Sequence, residues 1–264
     1  MTKILLGASQ VVTCAGPARL RRGEEMADLD IIPHGAVAIA DDGLISAVGP
    51  AEQVRRDFPD AEITEVRGVL FPGFVDCHTH AVFGAARLAD HERRARGISY
   101  MEIAAAGGGI LSSVNDVRER SVEDLTALLR KRLAWLVANG TTTVEVKSGY
   151  GLEKTAELRQ LEAIEAVAGD PAPAVIPTFL GAHEVPPEYR ASPDEYLEIV
   201  IDEMLPAVAQ RGLARFCDVF CEPGVFTPVQ SRRVLQAALS HGLAPKLHAD
   251  ELEGSGGAEL AVEL

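Results

Sequence analysis

The sequence lacks the features of several large classes of protein. It is short of basic residues, with 25 Lys and Arg against 39 Asp and Glu and a formal net charge of -14. A broad phosphate-neutralising surface is therefore not expected, which argues against a nucleic-acid partner. No apolar run reaches about 18 residues, and the apolar start of the chain is too short for a secretory signal. We expect a cytoplasmic protein that does not enter a membrane.

Cysteines are also few. The 4 cysteines, Cys14, Cys77, Cys217 and Cys221, are widely spaced and form no Cys-x-x-Cys pair. A chain of this length builds a core without disulfide bonds. Cys217 and Cys221 face one way on a predicted strand, but they lie too far apart along it for a disulfide. We expect all of the cysteines to be reduced and mostly buried.

The composition that is present is typical of a folded globular chain, with 47% hydrophobic and 24% charged residues. Residues 1–66 alternate short apolar runs with Gly, Pro and Asp, which predicts strands without helices. Asp42-Gly43 stands between two of these runs and favours a two-residue hairpin turn. The sequence therefore predicts a small β domain over residues 1–66.

From residue 67 the pattern changes to apolar strand, loop and amphipathic helix, repeated, which is typical of a parallel sheet with helical crossovers. Helix starts are indicated by capping hydroxyls at Ser121, Ser192 and Thr227, and Pro206 should kink or end the second of these helices. The expected strands are 70–78, 141–147, 174–181, 217–221 and 244–248.

Five strand-helix units fit either an open sheet or part of an eight-unit barrel. Residues 258–264 begin a helix that stops without a cap or a following strand, so we expect the chain to be cut within an element. A complete barrel needs about 250 residues on its own. Residues 67–264 are therefore expected to form only a partial barrel.

Histidines follow several of the predicted strands. His78 and His80 are two residues apart, so strand alternation sends both to one side at the carboxyl end of their strand. Active sites form at such ends, and two imidazoles there can share a metal ion. His248 ends the last strand in the same way and would complete a three-histidine site. Taken alone, the His-x-His motif is better explained by two partly exposed histidines at a strand end.

Two further residues extend this pattern. His183 lies just beyond another strand, so four of the 7 histidines follow strand ends, which favours a metal site over scattered core histidines. Glu251, three residues after His248, could act as a general base on a metal-activated water. Alternatively, Asp250 and Glu251 cap the following helix or lie in solvent.

Polar side chains near the same rim are candidates for binding a substrate. Tyr150 lies in a Gly-Tyr-Gly turn that can present its phenol, and the guanidinium of Arg87 suits a carboxylate. Arg87 is also explained as surface charge beside a cluster of arginines. Glu145 and Lys147 share one face of their strand, and for Lys147 we favour a buried ion pair over a ligand role.

Four segments together resemble the imidazolonepropionase family of the amidohydrolase superfamily. They are 71–80, 145–152, 181–186 and 246–251. The His-Thr-His motif marks only the superfamily, whereas Lys-Ser-Gly-Tyr-Gly-Leu and Gly-Ala-His-Glu-Val-Pro are far more specific. The resemblance implies an α/β fold, a distorted (β/α)8 TIM-type barrel, incomplete in this chain, with a small β-sandwich built from both chain ends.

The resemblance also implies an activity. It is the metal-dependent hydrolysis of the cyclic amide 4-imidazolone-5-propanoate to N-formimino-L-glutamate in histidine degradation. One divalent metal ion, Zn or Fe, would be the cofactor, and a small-molecule substrate the partner. A homodimer is compatible with the sequence. The implied metal ligands are His78, His80 and His248, the implied catalytic residues Glu251 and His183, and the implied substrate contacts Arg87, Tyr150, His183 and Glu251.

Departures and alternatives remain. The family's fourth metal ligand, an aspartate on the last barrel strand, has no counterpart in this sequence. A related cyclic amidase or aminohydrolase would keep the histidines but need not keep Arg87 and Tyr150. An inactive, metal-binding fragment would bind metal without turnover, and a binuclear site with a carboxylated Lys147 is a less favoured variant. Three imidazoles and a carboxylate accept zinc or iron equally.

Overall fold

A computed structural model of the chain describes residues 1–99, 102–103 and 106–264. These residues form two compact units, Met1–Gly73 and Phe74–Leu264. Within the described residues, no helix is both long enough and apolar enough to cross a membrane.

The first unit consists of two small mixed sheets, with strand orders β5-β4-β1-β6 and β3-β2-β7. Small apolar cores lie against them, one around Ile4, Ala36 and Val54 and the other around Val11 and Val37. The strands are β1 (Lys3–Leu6), β2 (Gln10–Val12), β3 (Ile31–Pro33), β4 (Gly35–Ile39), β5 (Ile45–Pro50), β6 (Glu62–Glu65) and β7 (Val69–Leu70).

Two local expectations for this unit are wrong. A helix, α1 (Ala51–Asp57), follows β5 and buries Val54 in the core, so the unit is not free of helices. The hairpin between β4 and β5 is longer than expected, because Ala40 N–H donates to Leu44 and leaves three residues in the loop. Gly43 has a φ of +83°, as a three-residue loop with a bulge requires.

The second unit is built on a parallel sheet with the order β12-β11-β10-β9-β8, and β13 also pairs with β11. The predicted strand regions are all present, and their apolar side chains face helices across a single core that includes Leu129, Val146 and Phe179. The strands are β8 (Phe74–Asp76), β9 (Thr141–Lys147), β10 (Ala174–Ala182), β11 (Phe216–Cys221), β12 (Ala244–Pro245) and β13 (His248–Ala249).

The α-helices of this unit follow the strands as the sequence pattern predicts. Short 3-10 helices cover Gly23–Ala27 in the first unit and Pro187–Tyr189 in the second. The α-helices are α2 (Leu88–Ala95), α3 (Ile110–Glu119), α4 (Val122–Ala138), α5 (Lys154–Ala168), α6 (Pro193–Ile199), α7 (Leu205–Arg211), α8 (Pro228–Ser240) and α9 (Gly257–Glu263).

The predicted helix caps are confirmed at two of three positions. Ser121 accepts a hydrogen bond from Asp124 N–H, and Thr227 forms a complete capping box with Gln230. Ser192 precedes α6 as expected, but its hydroxyl donates to the Glu195 carboxylate instead of accepting from the backbone. Before Pro206 the helix widens into a π-helical turn, Val200–Met204, since proline has no N–H for the regular ladder.

Two predicted strands are interrupted. The run 70–78 divides into β7 and β8 around Pro72, and His78 lies beyond the end of β8. The run 244–248 divides into β12 and β13, because His248 N–H donates to the Asp218 side chain at 3.1 Å. The histidines therefore lie at and just after strand ends.

The cysteines are free, as expected, but only half of them are buried. Cys217 and Cys221 are fully buried on β11, where they pack in the core, whereas Cys14 and Cys77 are exposed. The expectation of mostly buried cysteines is wrong for these two, which lie in loops outside the strands.

Candidate active site

A cavity of about 340 Å³ lies at the carboxyl ends of the parallel strands. All of the site residues predicted from the sequence line it. Several other residues also line it, among them Arg94, Ile110 and Phe220. The predicted residues are His78, His80, Arg87, Tyr150, His183, His248 and Glu251.

The histidine triad consists of His78, His80 and His248. It joins the edge strand β8 to β13, which pairs with β11. One ligand atom of each lies within 4.8 Å of the others, and the Nε2 atoms of His80 and His248 are 3.1 Å apart. His78 and His80 come from the loop after β8, and His248 starts β13. Three converging imidazole nitrogens are a recognised ligand set for a divalent metal.

The protonation of these rings suits metal binding. Burial, together with the neighbouring His183 and His248, lowers the pKa of His80 to about 2, and burial also lowers that of His78. Neutral imidazole is the form that binds metal. Two neutral rings with facing Nε2 atoms can share at most one proton, whereas a cation between them uses both lone pairs. The residues present therefore fit a metal ion.

His183 is held from behind by the backbone. Its Nδ1 lies 2.8 Å from the carbonyl oxygen of Gly149, and a carbonyl only accepts, so Nδ1 carries the proton. Burial lowers the pKa of His183 to about 4, which leaves the ring neutral with an unprotonated Nε2. The ring stacks on His80 with 4.9 Å between centroids. His183 is thus a fixed, neutral group beside the triad.

Tyr150 follows Gly149 in the loop after β9. Its side chain is buried, with 7% exposed, and this burial raises the pKa of the phenol. The ring lies 5.7 Å from that of His80 and 5.3 Å from that of His183. The phenol is therefore a neutral group within reach of the same cavity.

Arg87 and Glu251 are exposed, as are His78, Arg94 and Leu252 of the same cavity lining. Arg87 is the residue just before α2, and Glu251 lies in the loop after β13. Glu251 N–H donates to the buried Glu222 carboxylate at 3.0 Å, which holds the backbone of this loop. The site thus places two arginines, Arg87 and Arg94, and the Glu251 carboxylate at its open side.

Lys147 is enclosed in a buried ion network. Its Nζ lies 2.7 Å from Glu145 and 2.6 Å from Asp218, and the side chain is 1% exposed. Glu145 also contacts Lys246 at 2.6 Å. These contacts agree with the ion-pair interpretation of Lys147.

Asp218 connects this network to His248. Its Oδ2 lies 3.0 Å from His248 Nδ1, as a close contact without the direction of a good hydrogen bond. Burial opposes the charge of Asp218, but His248 and Lys147 more than offset it and lower the pKa of this carboxyl. Asp218 thus fixes His248 through both its backbone and its ring.

The sequence analysis missed the buried acids Glu157, Asp218 and Glu222. Asp218 had a usable signal, since a charge inside the apolar run Phe216–Cys221 must be paired once buried. Glu157 lies in the first turn of α5, where an acid is usually explained by the helix dipole. Glu222 directly follows a strand and resembles an ordinary loop residue.

Curated relatives match nearly the whole chain. An imidazolonepropionase from Symbiobacterium thermophilum is 51% identical over 266 residues, which cover 99% of this chain and 62% of that protein. Imidazolonepropionases from Solibacter usitatus and Geobacillus kaustophilus are 49% and 48% identical. The chain spans about 62% of the length of these relatives. No family model matches it.

Solved structures share the fold at low sequence identity. A 5-methylcytosine deaminase from Klebsiella pneumoniae superimposes with a TM-score of 0.61 at 16% identity, covering 100% of this chain and 55% of that one. An ochratoxinase from A. niger gives 0.59 at 16% identity, covering 99% and 58%. These likenesses confirm an α/β fold with a curled parallel sheet.

Proposed function

From the confirmed likeness to the imidazolonepropionases, we propose that this chain carries the metal-binding and substrate-binding residues of a hydrolase acting on 4-imidazolone-5-propanoate. The product is N-formimino-L-glutamate, formed in histidine degradation. The observation that carries the proposal is one cavity lined by every metal-binding and substrate-binding residue that the resemblance implies. We place the enzyme in the cytoplasm; a homodimer stays a prediction.

The proposed architecture is a distorted (β/α)8 barrel to which residues 67–264 contribute, with a small composite β-sandwich to which residues 1–66 contribute. The curled sheet with helical crossovers supports the barrel. The two small sheets of the first unit support the sandwich.

We propose that His78, His80 and His248 hold one divalent ion, zinc or iron. The ion would supply Lewis-acid activation of water at neutral pH. Asp218 holds His248 in place from its other side. The ion pairs of Lys147 support a mononuclear site.

The remaining residues act on the substrate itself. Arg87 pairs with the propionate carboxylate through its guanidinium fork, and Tyr150 hydrogen-bonds the ring or its tail. Glu251 takes the proton from the attacking water and can return it to the leaving nitrogen. His183 contacts the substrate through its unprotonated Nε2, which accepts a hydrogen bond from a ring N–H and so orients the lactam carbonyl for attack.

The test is hydrolysis of 4-imidazolone-5-propanoate by this chain loaded with zinc or iron. A parallel sample joins this chain to the part of the Symbiobacterium thermophilum relative that the match leaves uncovered. Turnover by either sample, lost on Glu251→Gln with metal retained, is the expected result. Metal binding without turnover in either sample would contradict the substrate, and turnover of other cyclic amides or amino-heterocycles would redirect the assignment.

A further inference from the structure

The loop from Gly149 to Leu152 carries or contacts both buried candidate groups for substrate, and its backbone is strained. Gly149 has a φ of +109° and Leu152 a φ of +51°. A non-glycine residue with positive φ persists only where the surroundings enforce it. Tyr150 lies between them, and the Gly149 carbonyl accepts a hydrogen bond from His183 Nδ1. The contacts that hold this loop backbone therefore also set the positions of Tyr150 and His183.

Two side chains of α5 accept the backbone N–H groups of this loop. Glu157 accepts from Gly149 at 3.0 Å, from Gly151 at 2.7 Å and from Leu152 at 2.9 Å. Gln160 accepts from Tyr150 at 3.0 Å, so four consecutive N–H groups end on one helix. Glu157 and Gln160 are both 0% exposed.

The neighbouring contacts show that this arrangement is close-fitting. A Cβ added to Gly151 would lie 2.5 Å from Glu157 N, so the loop passes directly over the start of α5. Gln160 also donates to the Val82 carbonyl at 2.6 Å, which ties the helix to the segment that follows His80. An acid that only interacts with the helix dipole usually lies in solvent. Glu157 is instead fully buried, and both of its carboxylate oxygens accept N–H groups from the loop.

We propose that Glu157 is a positioning residue that sets the geometry of Tyr150 and His183 for substrate. Its carboxylate fixes the loop backbone, and the Gly149 carbonyl then fixes the tautomer and orientation of His183. The kinetic part of this proposal rests on the proposed function. The part concerning the loop backbone stands on the contacts alone.

The substitution that isolates the role is Glu157→Gln. It keeps the size of the side chain but replaces one acceptor oxygen by an NH₂ that faces loop N–H donors. Buried donors left without an acceptor are costly. Glu165→Gln is the matched control, because Glu165 is an exposed glutamate on the same helix.

Hydrogen exchange followed by mass spectrometry on the metal-loaded chain is the first measurement. In Glu157→Gln, protection of the amides at 149–152 should fall by about tenfold or more, while the core strands and the Glu165→Gln protein stay unchanged. Exchange in the unsubstituted protein is a separate test, because it does not depend on whether a variant folds. If its 149–152 amides exchange as fast as an open surface loop, or if Glu157→Gln leaves them protected, the proposal is wrong.

The second measurement is steady-state kinetics with 4-imidazolone-5-propanoate. It uses this chain or its fusion to the remainder of the Symbiobacterium thermophilum relative, depending on which of them shows turnover. Glu157→Gln should lower kcat/KM by about 10- to 100-fold, with metal content unchanged, since it contacts none of the triad. The same substitution in a background that carries both Tyr150→Phe and His183→Ala should cost much less, because Glu157 acts through those two groups. Equal losses in both backgrounds would show a merely structural role. If the unsubstituted protein has no turnover, the proposed function fails and hydrogen exchange alone decides on Glu157.

Discussion

At the scale of single residues, the site consists of neutral rings backed by buried charges. His80 and His183 are kept neutral by burial, with the pKa lowered to about 2 and about 4 respectively. The charges of Asp218 and Lys147 form a buried ion network that contacts His248. The imidazoles are thus available as ligands and acceptors at neutral pH, while Asp218 holds His248 and the Gly149 carbonyl holds His183.

Removing one imidazole should remove most of the metal affinity. His248→Ala is expected to weaken zinc binding by more than about 100-fold, beyond the effect typical of residues that only orient a ligand. Isothermal titration with zinc measures this. His241→Ala, on the exposed end of α8, is the control and should bind as the unsubstituted protein does. Equal affinity in the two variants would rule out His248 as a ligand.

Arg87 provides a test of the substrate carboxylate. Arg87→Ala should lower kcat/KM for 4-imidazolone-5-propanoate by about 10- to 100-fold, mainly through KM, because a charge-assisted contact is lost. Metal content, read by elemental analysis, should not change. Arg96→Ala serves as the control, since Arg96 is exposed and pairs with Glu92 on its own helix. A similar loss in both variants would mean that only the general surface charge matters.

At the scale of elements, buried acids hold the loops that carry the site. Glu157 holds the loop after β9, and Glu222, 2% exposed at the end of β11, holds the loop after β13. Glu222 accepts N–H groups from Glu251, Leu252 and Glu253 at 3.0, 3.3 and 2.8 Å. A loop that is fixed through its backbone can present an exposed side chain in one position.

The Glu222 contacts predict a specific defect. Glu222→Gln should lower kcat by about tenfold or more, because the loop that carries Glu251 loses acceptors for its N–H groups, while zinc affinity stays near that of the unsubstituted protein. Glu253→Gln, an exposed change in the same loop, is the control. Steady-state kinetics with parallel metal titration check this. A large loss of zinc affinity in Glu222→Gln would instead place its effect on the triad.

The elements of the second unit were predictable because their signals are local. Apolar runs fixed β9, β10 and β11 to within about a residue, and the capping box at Thr227 fixed the start of α8. The positions of His78 and His183 followed from strand ends alone. The interruption before His248 was not predictable, because it depends on Asp218 from another strand. Glu222 was not predictable for the same reason, because its partners are N–H groups of a distant loop. The partners of Glu157 are close in the chain, but they are backbone N–H groups that leave no mark on the sequence.

At the scale of the whole molecule, the triad joins segments far apart in the chain. His80 and His248 are separated by 168 positions but have Nε2 atoms 3.1 Å apart. A ligand that binds only the folded state stabilises it by mass action. For a metal held here, this couples the first and last strands of the curled sheet.

Zinc should therefore raise the melting temperature. At a free concentration about 100 times Kd, the gain is about 2.7 kcal/mol, or roughly 5–10 °C for a chain of this size. Differential scanning fluorimetry with zinc and after chelation measures the shift. The double substitution of His78 and His80 by alanine should abolish it. An equal shift in that variant would show that zinc stabilises the chain at another site.

The separation of the ligands also has a consequence during synthesis. His78 and His80 leave the ribosome 168 or more positions before His248. At about 5–20 residues per second, the nascent chain spends roughly 10–30 s with two ligands and no third. During that interval a metal captured by the exposed pair would be weakly held and exchangeable. The identity of an ion held by the triad would thus be set after translation has passed His248, by the metal pool that the chain encounters from then on.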